Sequence, residues 1–298
     1  VGESTAISWT DHTFNPWWGC WKIAPECANC YADELANRYA PGHWGRTAPR
    51  RFFKDGHWSE PRKWNRAALR DGVRRRVFVG SMCDWAEAHP DPATASAIAT
   101  ARRRLFNLIG DCTALDWLLL TKRPESAREL VPWMATVADW QSVGVSDGKL
   151  EQIADPWPHV WLGVSAGHRD SLDKIETLRG IPAAVRFVSC EPILSDITAS
   201  EWDRALGHAP RLHSPEDPTR IHWLIVGDES AAQSRVRRAN LEWVRVARDA
   251  AARSGVAFHF KQWCGPDAPG LAGRAEPRGK IHLPILDGRQ HAAFPERK

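Results

Sequence analysis

The chain has 298 residues, with 40 Lys and Arg against 36 Asp and Glu for a net charge of +4, and 43% hydrophobic residues. That length suits one large domain or two small ones and buries a substantial core, while the small net charge does not by itself point to an anionic partner. No run of about 18 apolar residues occurs, which excludes a membrane-spanning helix, and the polar start VGESTAISWTDHTFN lacks a signal-peptide profile, so a cytoplasmic protein is expected.

Along the chain, short apolar runs end in small or charged polar residues. After a first strand near Thr13 to Gly19 come Val77–Ser81 (VFVGS), Trp117–Lys122 (WLLLTK), Val160–Ser165 (VWLGVS), Arg186–Glu191 (RFVSCE), His222–Glu229 (HWLIVGDE) and Val256–Lys261 (VAFHFK). Continuous apolarity over so few residues fits strands buried on both faces of a parallel sheet. Between them, Thr94–Gly110, Pro124–Thr136, Asp170–Leu178 and Asn240–Ser254 carry helical spacing, the last opening on an N-cap and stopping at Gly255. Residues 42–70 and 207–219, rich in Pro, Arg and His, read as loop insertions in a single 1–298 domain. Alternating strand and helix implies right-handed crossovers, and hence a full or partial (β/α) TIM-type barrel of seven strands. A doubly wound sheet is the rival, but no Gly-x-Gly-x-x-Gly follows the first strand.

In such barrels reactive groups gather at the C-terminal ends of the strands. Those ends carry Cys20, Ser81 with Asp84, Lys122 with Arg123, Ser165, Glu191, and Asp228 with Glu229, which points to one polar pocket. Basic clusters occur at Arg46–Lys54, Arg74–Arg76, Arg102–Arg104 and Arg235–Arg238, and 17 tryptophans are available for the core, for a pocket or for stacking on bases.

Cys20, Cys27 and Cys30 lie in CWKIAPECANCY, separated by six and then two residues. Seven cysteines in a cytosolic chain indicate reduced, metal-bound or catalytic thiols rather than disulfides. A zinc site needs a fourth ligand, for which His12, His43 and Cys83 are candidates without a second spaced pair. A redox Cys-x-x-Cys leaves Cys20 unexplained, and buried inert thiols fit poorly with a polar loop. Thiolates are the usual ligands of a [4Fe-4S] cluster, and three of them would hold three irons and leave the fourth without a protein ligand.

Three clustered cysteines after a first strand, followed by a βα barrel, resemble the radical S-adenosylmethionine (radical SAM) superfamily, although the first gap is longer than usual there and Asn29 stands where an aromatic is common. The chain also resembles a narrower family of phage and bacterial proteins through FNPWWGC (14–20), CANCYA (27–32), VFVGSMCD (77–84), LLLTKRP (118–124), RFVSCEPIL (186–194), WLIVGDES (223–230) and FKQW (260–263). Asp228 and Cys83 replace a glycine and a serine usual in that family.

The resemblance implies a radical SAM enzyme, phage-encoded or in a bacterial host cytosol. Its [4Fe-4S] cluster on Cys20, Cys27 and Cys30 would cleave S-adenosyl-L-methionine to a 5′-deoxyadenosyl radical acting on a nucleotide-like or nucleic-acid substrate. An electron donor such as a flavodoxin or ferredoxin is implied as partner. Ser81 and Asp84 are placed at the methionine amino group, with a helix N-cap as the plainer role. Arg123 and Lys122 are placed at its carboxylate or at a substrate phosphate, Ser165 in the cofactor pocket, and Glu191 and Glu229 at ribose hydroxyls or a basic partner such as Lys122. Lys261 and Gln262 face the substrate, and Cys190 is placed as hydrogen donor to a substrate radical. The alternatives are a non-enzymatic, zinc-containing nucleic-acid-binding phage protein, and a metal-independent hydrolase using Glu191 and Glu229.

Overall fold

A computed structural model describes residues 5–134, 155–207, 217–229, 236–263 and 283–296. Its centre is a seven-stranded, all-parallel sheet curled into a half-barrel and flanked by helices. The strands are β1 (His12–Phe14), then β4 (Arg75–Val79), β5 (Leu115–Thr121), β6 (Val160–Ser165), β7 (Val185–Cys190), β8 (Trp223–Gly227) and β9 (Ala257–Gln262), side by side in that order. The outer strands β1 and β9 do not pair, so the barrel is partial. No described helix is long and apolar enough to cross a membrane.

Alternation along each strand divides the core in two. Val77, Val79, Trp117, Leu119, Leu162, Val188 and Val226 pack under the helices. Phe78, Leu118, Trp161, Phe187, Trp223 and Ile225 face the concave side and, with Trp9, fill it with aromatic rings. Gly163 belongs to this inner face, where a Cβ would sit 2.3 Å from the Phe187 ring, so the ring takes the room a side chain would need.

Helices α1 (Tyr31–Tyr39), α2 (Asp55–Asp71), α3 (Pro92–Asp111), α4 (Pro124–Leu130), α5 (Asp173–Arg179), α6 (Ala199–Leu206) and α7 (Leu241–Arg253) complete the described elements, with short 3-10 turns. The N-cap expected at Asn240 is present, its side chain accepting from the Glu242 N–H. Four expectations change. The first strand is split at Asn15-Pro16, where proline lacks a ladder donor, and β2 (Trp17–Trp18) leaves the main sheet to pair antiparallel with β3 (Arg51–Phe52). The loop expected over 42–70 contains β3 and most of α2, whose buried Trp58, Pro61, Trp64 and Ala68 form one helical stripe. The helix expected over Pro124–Thr136 ends at Leu130, followed by a 3-10 turn at Pro132–Met134, because a residue before proline avoids the helical region; Thr136 lies outside the described residues. The helix expected over Asp170–Leu178 is a 3-10 turn, Arg169–Ser171, followed by α5. Most of the insertion expected at 207–219 also lies outside the described residues.

Beyond β9, the C-terminal segment returns as a short antiparallel pair, β10 (Ile285–Leu286) and β11 (Arg289–Gln290). It then runs antiparallel along β9: Phe260 N–H donates to His291 O at 2.9 Å and Ala293 N–H to Phe258 O at 3.2 Å.

Candidate functional site

The cysteine loop begins at Gly19, whose φ of +116° and approach to His43 O, 2.2 Å from where a Cβ would stand, admit only glycine. Pro25–Cys27 forms a 3-10 turn, and Cys30 is the N-cap position of α1. The loop is tied to four strand ends. Beyond β4, Gly19 N–H donates to Met82 O at 3.0 Å, and the Tyr31 hydroxyl donates to Ser81 O at 2.9 Å. Beyond β5, Arg123 reaches Cys20 Sγ at 3.6 Å and Trp21 O at 3.1 Å, with its guanidinium 5.1 Å from the Trp21 ring centre. Beyond β6, buried Glu26 accepts from the backbone N–H groups of Gly167 at 2.8 Å and His168 at 3.2 Å. Beyond β8, Asn29 donates to Glu229 Oε2 at 3.0 Å, and Arg237, which forms an ion pair with Glu229, donates to Pro25 O at 2.9 Å.

Between loop and strand ends lies a cavity of about 430 Å³. Cys20, Cys27, Cys30 and Cys83 line it, as do Ser81, Asp84, Lys122, Arg123, Ser165, Glu191, Lys261 and Gln262, while Trp9, Phe78 and Leu120 give it an apolar floor. Asp84 is buried and fully used. Its Oδ1 accepts from Thr121 Oγ1 at 2.6 Å and Ala86 N at 3.1 Å, and its Oδ2 from Lys122 N at 3.0 Å and Arg123 Nη1 at 2.8 Å. Burial opposes its charge, but Arg123 and these donors outweigh it and hold the carboxyl below the usual carboxylate range. Burial pushes the Cys20 thiol up to about 12, against the pull of Arg123. Burial also works against the Lys122 ammonium, yet Cys27, Cys30, Glu26 and Asp84 together raise it above its ordinary value.

A sequence profile for proteins of unknown function, DUF5131, matches residues 4–295. The chain belongs to the DUF5131 family. No curated protein matches it.

In this DUF5131 protein eleven of the thirteen residues given a site role from the sequence share the cavity; Cys190 and Glu229 do not line it. Cys190 is fully buried under the helices, because Ser189 within β7 and Glu191 just beyond its end take the pocket-facing positions. Glu229 is buried by Asn29 and Arg237 and acts on the cysteine loop. Glu191 pairs with Lys261 rather than Lys122: the ammonium is 2.9 Å from Oε1, close enough for an ion pair although misaligned for a hydrogen bond. Lys122 instead donates to Ser165 Oγ at 3.2 Å. Glu191 is paired with Lys261 and Glu229 with Arg237, and of the two only Glu191 lines the cavity. The helix after β4 is capped by Asp91, not by Ser81 or Asp84. Sequence reasoning passed over Glu26, Trp9 and Phe78, and it noted Arg237 only within a basic cluster; the signal for Glu26 was a carboxylate set between two cysteines.

Among the described residues, no three or more His, Cys, Asp or Glu side chains are already drawn together around a metal position. The donor chemistry nevertheless fits a thiolate-bound centre. Three thiols from one anchored loop face one cavity, Arg123 touches one of them, and Lys122 is close enough to feel the other two. Two cations beside three thiolates offset the charge such a centre brings.

Proposed function

We propose that this protein is a radical SAM-type enzyme that holds a [4Fe-4S] cluster on Cys20, Cys27 and Cys30 and acts on a nucleotide-like or nucleic-acid substrate. The observation that carries the reading is the meeting of the three-cysteine loop with the polar C-terminal ends of a parallel half-barrel around one cavity. When bound, such a cluster supplies one-electron cleavage of S-adenosyl-L-methionine, with the electron drawn from a flavodoxin- or ferredoxin-like donor. The chain's own residues bind and orient. Arg123 and Asp84 fix Cys20, and Glu26, Asn29 and Glu229 hold the loop over the sheet. Lys122, Ser165 and Ser81 offer donors and hydroxyls to a polar ligand, Glu191 with Lys261 forms the far wall, and Trp9 with Phe78 excludes water from the floor.

The test is the iron, sulfide and zinc content of protein purified without oxygen. About four irons and four sulfides per chain, lost in Cys27→Ala together with reductive cleavage of S-adenosylmethionine, are the expected result. One zinc without sulfide would leave the cysteines as a structural clip and favour the nucleic-acid-binding alternative.

A further inference from the structure

The segment Leu35–Lys54 carries Arg38, Arg46, Arg50, Arg51 and Lys54 and no acidic residue. Arg50 is turned inward, where it bonds Glu87 and the carbonyls of His43, Gly45 and Ala48 and so fixes the segment from beneath. The other four are exposed and, among the described residues, make no ion pair. The Arg74–Arg76 cluster, by contrast, is neutralised within the fold: Arg74, Arg75 and Arg76 face Asp116, Asp71 and Asp11.

Aromatic rings interleave with these free cations. Arg51 lies 5.2 Å from the Trp18 ring centre and 5.7 Å from that of Phe53, and Arg46 lies 5.6 Å from that of Trp21. Tyr31, Phe52 and Tyr39 are 41%, 39% and 64% exposed. The surface is continuous with the cavity: Trp21, Tyr31 and Trp44 line its mouth, and Gly45 N–H donates to Cys20 O at 2.9 Å.

We infer that Leu35–Lys54, with Trp18 and Trp21, forms a single-stranded nucleic-acid platform that leads one unstacked nucleotide toward the cavity. Alternating guanidinium groups and rings match the alternating phosphates and base faces of a single strand. A duplex, whose bases are already stacked, leaves the rings unused. A cavity of about 430 Å³ accepts a nucleotide-sized group and not a helix. This deepens the proposed function by naming the substrate class, and it stands on surface features that need no cluster.

The experiment is fluorescence anisotropy of the full chain with a labelled oligothymidylate of about 20 nucleotides and with a hairpin duplex, over a range of salt. The variant Arg46→Ala/Arg51→Ala/Lys54→Ala should bind the single strand at least about tenfold more weakly and lower the salt slope by about 2, since each phosphate contact contributes roughly 0.7 on a single strand. Arg66→Ala/Arg70→Ala, on the outer face of α2, should bind within about twofold of the parent. Circular dichroism checks folding, and single Arg46→Gln and Arg51→Gln variants give graded losses if the triple variant is unstable. The inference is overturned if the triple variant binds like the parent, if the α2 variant loses as much, if the duplex is preferred, or if the face captures an acidic flavodoxin-like protein and not the oligonucleotide. Binding is also measured in Cys27→Ala. Cys27→Ala should keep its oligonucleotide binding, because the platform needs no cluster, and its loss there would overturn the platform. Oligonucleotide binding by parent protein that holds no iron and cleaves no S-adenosylmethionine sinks the radical reading alone, and cleavage by the parent without oligonucleotide binding sinks the platform alone.

Discussion

Replacing Asp84 by asparagine tests the clamp at the first cysteine. The two carboxylate oxygens divide four donors evenly, Thr121 and Ala86 on one, Lys122 and Arg123 on the other. An amide has one acceptor oxygen, so in either orientation its NH₂ faces two donors. The side chains of Asp84 and Arg123 are only 7% and 8% exposed, so solvent does little to relieve the loss. Breaking a buried pair by removing one charge costs about 3–5 kcal/mol, and that is the expected drop in urea unfolding of the metal-free, reduced protein. Removing Arg62 from its pair with Asp111, whose side chains are 49% and 40% exposed, should cost under about 1 kcal/mol. Arg123 would also release Cys20 and Trp21, so alkylation of Cys20 should accelerate. The acid limb checks the sign. A carboxylate held below its unfolded value contributes stability above roughly pH 4 and loses it as pH falls through the folded value; Asp84→Asn should remove that component. A loss no larger than that of the Arg62 variant, with unchanged Cys20 labelling, would falsify the clamp.

Burial holds His259 down to about 3, well below the ordinary histidine range, so the unfolded chain takes up a proton below about pH 6.5 that the folded chain refuses. Stability should be full above that pH and fall by up to about 1.4 kcal/mol per unit below it. Thermal midpoints from pH 7 to 4 should show a flatter slope in His259→Gln; an unchanged slope contradicts the assignment. Gly163→Ala should destabilise by about 1–3 kcal/mol through overpacking against Phe187, and adding Phe187→Leu should recover part of the loss in the same unfolding assay. Glu229→Ala leaves Asn29 and the Arg237 N–H without their acceptor, at a cost of about 1–3 kcal/mol. In protein loaded with the proposed cluster it should also speed iron release to a chelator, and equal release rates would show that the β8 tether does not hold the cysteine loop.

The parallel strands were legible because each is a short apolar run bounded by polar residues, and Val77–Val79, Trp117–Thr121 and Val160–Ser165 fall inside elements of the sheet. Helix α2 was obscured by Pro61, although Trp58, Pro61, Trp64 and Ala68 keep the spacing of a buried stripe. That the polar strand ends share a cavity followed from the parallel topology. Their partners did not. Glu191 meets Lys261 and Asn29 meets Glu229 across 70 and 200 positions of chain, and no local pattern encodes which cation closes on which carboxylate. Cys190 shows the complementary limit: one residue's shift along β7 exchanges pocket for core, and a run apolar on both faces does not reveal its phase.

The C-terminal return along β9 has a bearing on solution behaviour. An unclosed parallel sheet leaves a row of N–H and C=O groups at its rim, and such a rim templates pairing between chains. Here the Phe260 N–H donates to, and the Phe258 carbonyl accepts from, the 291–293 segment of the same chain, and Phe294 lies against the Trp223 and His259 rings just beyond it. The segment thus acts as a built-in competitor of a second molecule. Loosening it, for instance by Phe294→Asp, should leave the cysteine cavity intact at the opposite end of the strands while making the protein scatter more light on concentration than the parent does.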